Sequence, residues 1–328
     1  MSEDEADKEQ ILVIHEGALT DVVRMLAPAK MIRDHHRKAR ITLLCGEEYE
    51  GLLKHCPYFN AVETNLDDTA KRNFFDRLKA ARNSGFDVIY DLCGSEGAKK
   101  IGRAVRFSKT RWVNAAPRSD RPGHPLEQMA ARLGEAGLGP TTYLLGEAPP
   151  PDLSWIDFVA KRSRTLEPAY FGLLGRYALF APAGEDVLPA QRWPKERWAS
   201  LAHELLETGV EPVIVGGPNT REVGRYVAHV TPGARDLTGR ANLIQLAGLG
   251  RKASCAFGEA AGLLHLMAAA GSPAVLFHPG DNAPLESAPR GLSPTLLMHA
   301  PTLAQINAKE AVQAMRCAGG FADASNAA

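Results

Sequence analysis

Two short turns in this chain bring polar side chains to the start of an apolar helix. One is Phe257-Gly258-Glu259-Ala260-Ala261-Gly262-Leu263-Leu264-His265, which runs on into Leu266-Met267-Ala268-Ala269-Ala270. The other is Ile11-Leu12-Val13-Ile14-His15-Glu16-Gly17-Ala18-Leu19-Thr20-Asp21, which runs on into Val22-Val23-Arg24-Met25-Leu26. The first N–H groups of a helix have no partner within it and carry partial positive charge, so strand–glycine–helix turns of this kind suit an anionic ligand. His265 has two readings, a contact to such an anion or a satisfied core histidine. Asp21, at a helix start, reads first as an N-cap whose carboxylate accepts backbone N–H bonds.

The elements that must hold these turns alternate strand and helix. Strands are expected at residues 11–14, 40–45, 61–64, 86–92 and around 111–113, with helices at 21–34, 47–55, 73–82 and 126–137. The second half repeats the plan. Strands are expected at 177–181, 211–215, 253–257 and 273–277, a strand–turn at 236–239, and helices at 193–208, 219–229, 243–249 and 263–270. Short apolar runs alternating with helices indicate parallel sheets covered on both faces, an α/β class. Prolines crowd residues 117–153, as suits an exposed connector. The expected division is an acidic tail without order at 1–10, a first domain at 11–150, a linker at 151–175, a second domain at 176–318 and a small polar tail at 319–328.

Composition narrows the class. The chain has 328 residues, 45% apolar, with Lys+Arg and Asp+Glu equal at 38 each, which describes a globular protein and argues against a nucleic-acid binder. The five cysteines have no metal-ligand spacing and suit a reducing compartment. No signal peptide and no membrane-spanning run is evident. A basic run from Lys99-Lys100 through Arg103, Arg106, Lys109 and Arg111 reads as a solvated helix face or as a surface for anionic lipid. Phosphate-loop, dinucleotide, zinc-protease and serine-hydrolase motifs are absent from the sequence.

Four segments in order resemble the ADP-heptose:lipopolysaccharide heptosyltransferases, inverting glycosyltransferases of family 9. They are the turn at Gly17-Ala18-Leu19-Thr20-Asp21, the strand at 86–92, the element Gln191-Arg192-Trp193-Pro194-Lys195-Glu196-Arg197-Trp198 with Val215-Gly216-Gly217-Pro218 after it, and Gly258 to His265. The resemblance implies a GT-B fold, two doubly wound Rossmann-like domains facing across a cleft. It implies an acceptor held near Gly17 and Ala18, with Asp21 as the base that deprotonates the acceptor hydroxyl. It further implies a nucleotide-diphosphate sugar held by the second domain. There Arg192 stands for a phosphate-contacting lysine, against a surface arginine. Gly216 and Gly217 would pass close to the nucleotide, or form an ordinary turn. Glu222 would accept the ribose hydroxyls, or face solvent. Gly262 would let the diphosphate approach the helix start and His265 touch it. Trp193 and Trp198 read as packing residues.

The chain departs from the family pattern at three places. Thr20 stands where the family has glycine, His15-Glu16 replaces its Arg-x, and Ala260-Ala261 replaces Asp-Thr or Asp-Ser, for which the neighbouring Glu259 could compensate. The expected function is transfer of a heptose-like sugar to a lipopolysaccharide or other envelope glycan, with inversion and with no cofactor or metal. The expected place is the cytoplasm with peripheral contact to the inner membrane. The alternative is a catalytically lapsed member that binds nucleotide, glycan or a protein partner.

Overall fold

A computed structural model describes residues 8–64, 85–106, 108–145, 147–184, 187–188, 192–259, 262–280 and 288–317. The chain forms two compact units, Met1–Pro149 and Pro150–Ala328.

The first unit runs β1 (Gln10–Ile14), α1 (Leu19–His35), β2 (Arg40–Cys45), α2 (Glu47–Leu53), β3 (Ala61–Thr64), β4 (Val88–Asp91), α3 (Glu96–Val105), β5 (Arg111–Asn114) and α4 (Pro125–Glu135). Its strands lie in the order β3-β2-β1-β4-β5, each pair parallel. Ile11 to Ile14 are fully buried, because helices cover both faces of the sheet. Strand β1 starts inside the stretch read as a tail, where the Gln10 N–H donates to Asp87 Oδ2 at 2.8 Å. The inner stripe of α1 holds Val22, Val23, Leu26 and Ala29. On α3, Ala98, Ile101 and Val105 pack on the sheet while Lys99 pairs outward with Glu96 at 2.7 Å. Two caps fix helix starts here: Ser95 Oγ accepts from the Ala98 N–H, and His124 Nδ1 accepts from the Leu126 N–H just before Pro125. The helix expected at 73–82 and the tail at 319–328 lie outside the described residues.

The second unit runs α5 (Ile156–Ala160), β6 (Tyr177–Ala181), α6 (Lys195–Leu206), β7 (Glu211–Ile214), α7 (Arg221–Val230), β8 (Arg235–Asp236), α8 (Leu243–Lys252), β9 (Cys255–Glu259), α9 (Gly262–Ala269), β10 (Ala274–Pro279), β11 (Thr295–Ala300) and α10 (Ala308–Cys317). The sheet order is β11-β10-β9-β6-β7-β8, again parallel. Residues 151–175, read as a linker, fold onto this unit. Leu153, Ile156 and Leu166 are buried, the Leu153 N–H bonds the Ala269 carbonyl at 3.1 Å, and α5 lies against α8. Strand β11 and helix α10 add elements that the sequence reading did not assign; α10 packs on α6.

The core of the second unit is aromatic. The Trp193 ring lies 4.9 Å from Trp198 and 4.5 Å from Phe277, and Phe180 lies 5.1 Å from Trp198. Trp193 also donates its indole N–H to the Ile306 carbonyl at 3.3 Å. Both tryptophans are therefore packing residues, as their sequence context suggested. Cys45, Cys56 and Cys255 are buried. Among the described residues, no helix is long and apolar enough to cross a membrane.

Candidate functional site

In an open parallel sheet, ligands bind beyond the carboxyl ends of the strands, where the strand order reverses direction. In the second unit that point lies between β6 and β9. From β6 the chain builds outward through β7 and β8, then returns to add β9, β10 and β11 on the other side. A cavity of about 470 Å³ sits there. Its walls come from the end of β6 (Pro182, Ala183, Gly184), the turn after β7 (Gly216, Gly217, Asn219, Thr220), Glu259 closing β9, Leu263 on α9, and the end of β10 (Phe277, His278, Pro279). The size falls within the range of small-molecule sites.

Each wall has a local cause. Gly216 adopts a φ of 148°, which L side chains rarely adopt, and a Cβ there would collide with Thr220 Oγ1. Thr220 Oγ1 donates to the Gly217 carbonyl at 2.8 Å, so the turn closes on itself and presents backbone to the cavity. Glu259 is only 5% exposed. Its carboxylate accepts the backbone N–H groups of Ala183 and Trp193, tying the segment after β6 to the segment before α6. Burial pushes this carboxyl up to about 7, with the two N–H bonds and nearby Arg192 opposing. His278 Nδ1 is buried with no hydrogen-bond partner among the described residues. A polar atom left so in a cavity wall is available to a ligand.

The residues singled out from sequence fall into two groups. Gly216, Gly217 and Glu259 line this one cavity, and Gly262 opens the helix whose next residue, Leu263, lines it too. Glu259 uses both carboxylate oxygens on backbone, so it holds the site's frame. Arg192 is half-buried and acts electrostatically on both Glu259 and Glu222. Glu222 is exposed and pairs with Lys195 at 2.5 Å, which holds its carboxyl below the usual range; neither lines the cavity. His265 is buried on α9, 3% exposed, and is not among the lining residues. Sequence reading missed Thr220, Asn219, Ala183 and His278. The one available signal was position, since Ala183 lies just past β6, Asn219 and Thr220 follow the glycine turn after β7, and His278 sits at the carboxyl end of β10.

The first unit has its reversal point between β1 and β4. Ala18, not Asp21, is the N-cap of α1, so the capping reading of Asp21 is corrected. The helix begins two residues earlier than expected, which moves the carboxylate to the third helical position. Asp21 is half-exposed, 3.6 Å from the Arg24 guanidinium. It folds back over Gly17, where a Cβ would lie 3.3 Å from Asp21 Oδ2, so Gly17, Ala18 and Asp21 form one tight turn. Glu16 reaches across to the first turn of α3, where a Cβ on Gly97 would lie 3.1 Å from its carboxylate. His15 is 3% exposed, and among the described residues neither ring nitrogen has a hydrogen-bond partner in good geometry. Burial brings its imidazole down to about 4, with the Leu92 backbone nearby opposing, so the ring is neutral at pH 7.

Residues 148–294 match the model of glycosyltransferase family 9 (heptosyltransferase). No curated protein sequence is significantly similar to the chain. Among solved structures, a family 9 glycosyltransferase from Veillonella parvula is similar at TM-score 0.76 and 15% identity, covering 96% of this chain and 98% of that one. The ADP-heptose lipopolysaccharide heptosyltransferase II of E. coli is similar at TM-score 0.74 and 17% identity, covering 94% and 98%. E. coli heptosyltransferase WaaC, solved with ADP, is similar at TM-score 0.74 and 16% identity, covering 94% and 99%. The structural likeness extends over nearly the whole chain and the family match over most of the unit that holds the cavity; the chain has the GT-B fold, and its residues 148–294 are similar to glycosyltransferase family 9 (heptosyltransferase).

Proposed function

We propose that the protein transfers a heptose-like sugar from a nucleotide-diphosphate donor to a glycan or glycolipid acceptor of the cell envelope, with inversion. The observation that carries this reading is the cavity at the reversal point of the second sheet, walled by Gly216, Gly217 and Glu259, inside the segment that matches the family. That the E. coli neighbour was solved with ADP supports a nucleotide there.

In the reaction the acceptor oxygen attacks the anomeric carbon, and the bond from that carbon to the diphosphate oxygen breaks. Single displacement inverts the centre. Asp21 takes the hydroxyl proton, as its half-exposed carboxylate beside Gly17 is free of any capping duty. The departing diphosphate is met by the N-terminus of α9 at Gly262 and by Arg192. This chemistry calls for no metal and no cofactor, and it suits a cytoplasmic protein working on an inner-membrane acceptor.

Ala260-Ala261, in place of two polar family residues, favours the second reading of a binder without turnover. The test joins two measurements. A thermal-shift screen of nucleotide sugars identifies the donor, because a ligand of the native state raises Tm. Asp21→Asn is then compared with the unchanged protein in transfer and donor-hydrolysis assays. The expected result is loss of turnover with unfolding free energy changed by less than about 0.5 kcal/mol, as for an exposed surface site. Tight nucleotide binding with no turnover in either protein overturns transfer and leaves the binder.

A further inference from the structure

The cavity of the second unit runs across the carboxyl edge of its sheet, and strand order fixes what stands at each end. Along that edge the walls follow as the glycine turn after β7, the end of β6, Glu259 with the start of α9, and the end of β10. Neighbouring strands lie about 4.8 Å apart, so three strand spacings, about 14 Å, separate the glycine turn from β10. No single group of a small ligand spans that distance. A nucleotide set against Gly216 and Gly217, with its diphosphate at the helix start after β9, leaves the β10 end to whatever the diphosphate carries.

That end is walled by Leu263, Phe277, His278 and Pro279, of which His278 alone has a polar side chain. Phe277 pairs with Glu259 in the register of β10 and β9, so His278 stands one step beyond Glu259. Glu259 has both oxygens on backbone N–H groups, and the two residues that follow it in sequence, Ala260 and Ala261, have no polar side chain. The imidazole is thus the side chain left to hydrogen-bond a ligand at this end, among the described residues. Its burial says how. The ring is part-exposed, but Nδ1 is enclosed with no hydrogen-bond partner. An orphaned N–H is rarer in folded proteins than an orphaned acceptor, so the enclosed Nδ1 suits the bare nitrogen of the ring. The N–H then sits on Nε2, on the part of the ring that is not enclosed. One N–H, in a wall whose described residues include no lysine or arginine, matches an uncharged oxygen better than a phosphate.

We propose that His278 recognises the sugar, its Nε2–H donating to a hydroxyl oxygen of the sugar carried by the nucleotide. The inference rests on the reading of this cavity as a nucleotide-sugar site and adds the side chain that holds the sugar. It makes His278 a determinant of which sugar is accepted, because a site that hydrogen-bonds a hydroxyl discriminates against a ligand that lacks it.

The test is isothermal titration of the full chain with ADP, GDP and UDP, and with ADP-heptose, GDP-mannose and UDP-glucose. The quantity read is the affinity gained when the sugar is added to its nucleoside diphosphate. The unchanged protein is expected to bind at least one of the sugar nucleotides more tightly than the bare diphosphate. His278→Phe keeps a ring but not the N–H, and should lower that gain about tenfold while binding the bare diphosphate as before. His278→Gln, whose amide N–H takes the place of Nε2–H, should keep the gain to within about threefold. Without ligand, His278→Phe should melt no lower than the original, because it removes an enclosed nitrogen that has no partner. The proposal is overturned, with the cavity still a nucleotide site, if the sugar adds no affinity in the unchanged protein, if the gain survives in His278→Phe, or if that variant weakens bare and sugar-bearing diphosphates alike. If none of these ligands binds the unchanged protein, the reading of the cavity falls and this inference with it.

Discussion

Replacing Glu259 by glutamine isolates the electrostatic cost of the frame around the cavity. The folded chain buries this carboxyl and pushes it from 4.5 up to about 7. In the unfolded chain it ionises near the ordinary value. Between those two values the unfolded state has lost a proton that the native state retains, so native stability falls as pH rises through the window. A displacement from 4.5 to about 7 corresponds to about 3 kcal/mol. Glutamine cannot titrate there, and its amide NH₂ faces a backbone N–H at one of the two positions where the carboxyl accepts from Ala183 and Trp193. One unsatisfied buried N–H costs about 1–3 kcal/mol. Glu259→Gln should therefore be less stable than the original at about pH 5, by that amount, and should draw level with or overtake it by about pH 8. Urea unfolding followed by the fluorescence of Trp193 and Trp198, both in the core of this unit, reads the difference directly. Parallel stability curves for the two proteins across this range would refute the burial argument. A gap that widens toward high pH would mean the carboxylate is ionised throughout and stabilised by its two N–H donors.

Two further substitutions probe other parts of the scaffold. Gly216→Ala forces a Cβ into Thr220 at a backbone angle that alanine resists, and should cost about 1–3 kcal/mol while abolishing the Tm rise with ADP; an undiminished rise would separate that turn from the ligand site. His15 titrates in the opposite sense to Glu259. Its native value of about 4 lies below the ordinary 6.5, so stability is lost as pH falls through that interval, by about 3 kcal/mol in all, and His15→Phe should remove that acid sensitivity from the first unit. Equal acid sensitivity in the two proteins, followed by the near-ultraviolet signal of Trp112, would show that His15 is not the group responsible.

Much of the fold was legible in the chain itself because the signals were local. Continuous apolar runs such as 11–14 and 177–181 could only be strands covered on both faces, and both are. The tryptophans after Arg192 read as packing, and their rings fill the core of the second unit. Helix starts were less legible. His124 is an uncommon capping residue, and Ala18 caps α1 with no side-chain bond at all, so the carboxylate at Asp21 drew the boundary two residues late. Strand β11 is bracketed by Pro294 and Pro301, and α10 carries Lys309, Glu310 and Arg316 among its apolar residues, so neither stood out in the chain; they pack on β10 and α6.

The sequence by itself determined the alternation of strands and helices, the glycine turns at their ends and the family they resemble. These depend on spacing along the chain. Only the tertiary structure decided which turns share a cavity, because the order β11-β10-β9-β6-β7-β8 comes from pairing between distant strands. That order sets the ends of β6, β7, β9 and β10 side by side and brings His278 into the wall with Glu259. It also fixed the charge states, since desolvation depends on how completely the fold closes over a side chain. Glu259 and His15 look like ordinary polar residues in the chain, and become a proton-holding acid and a neutral imidazole only once buried.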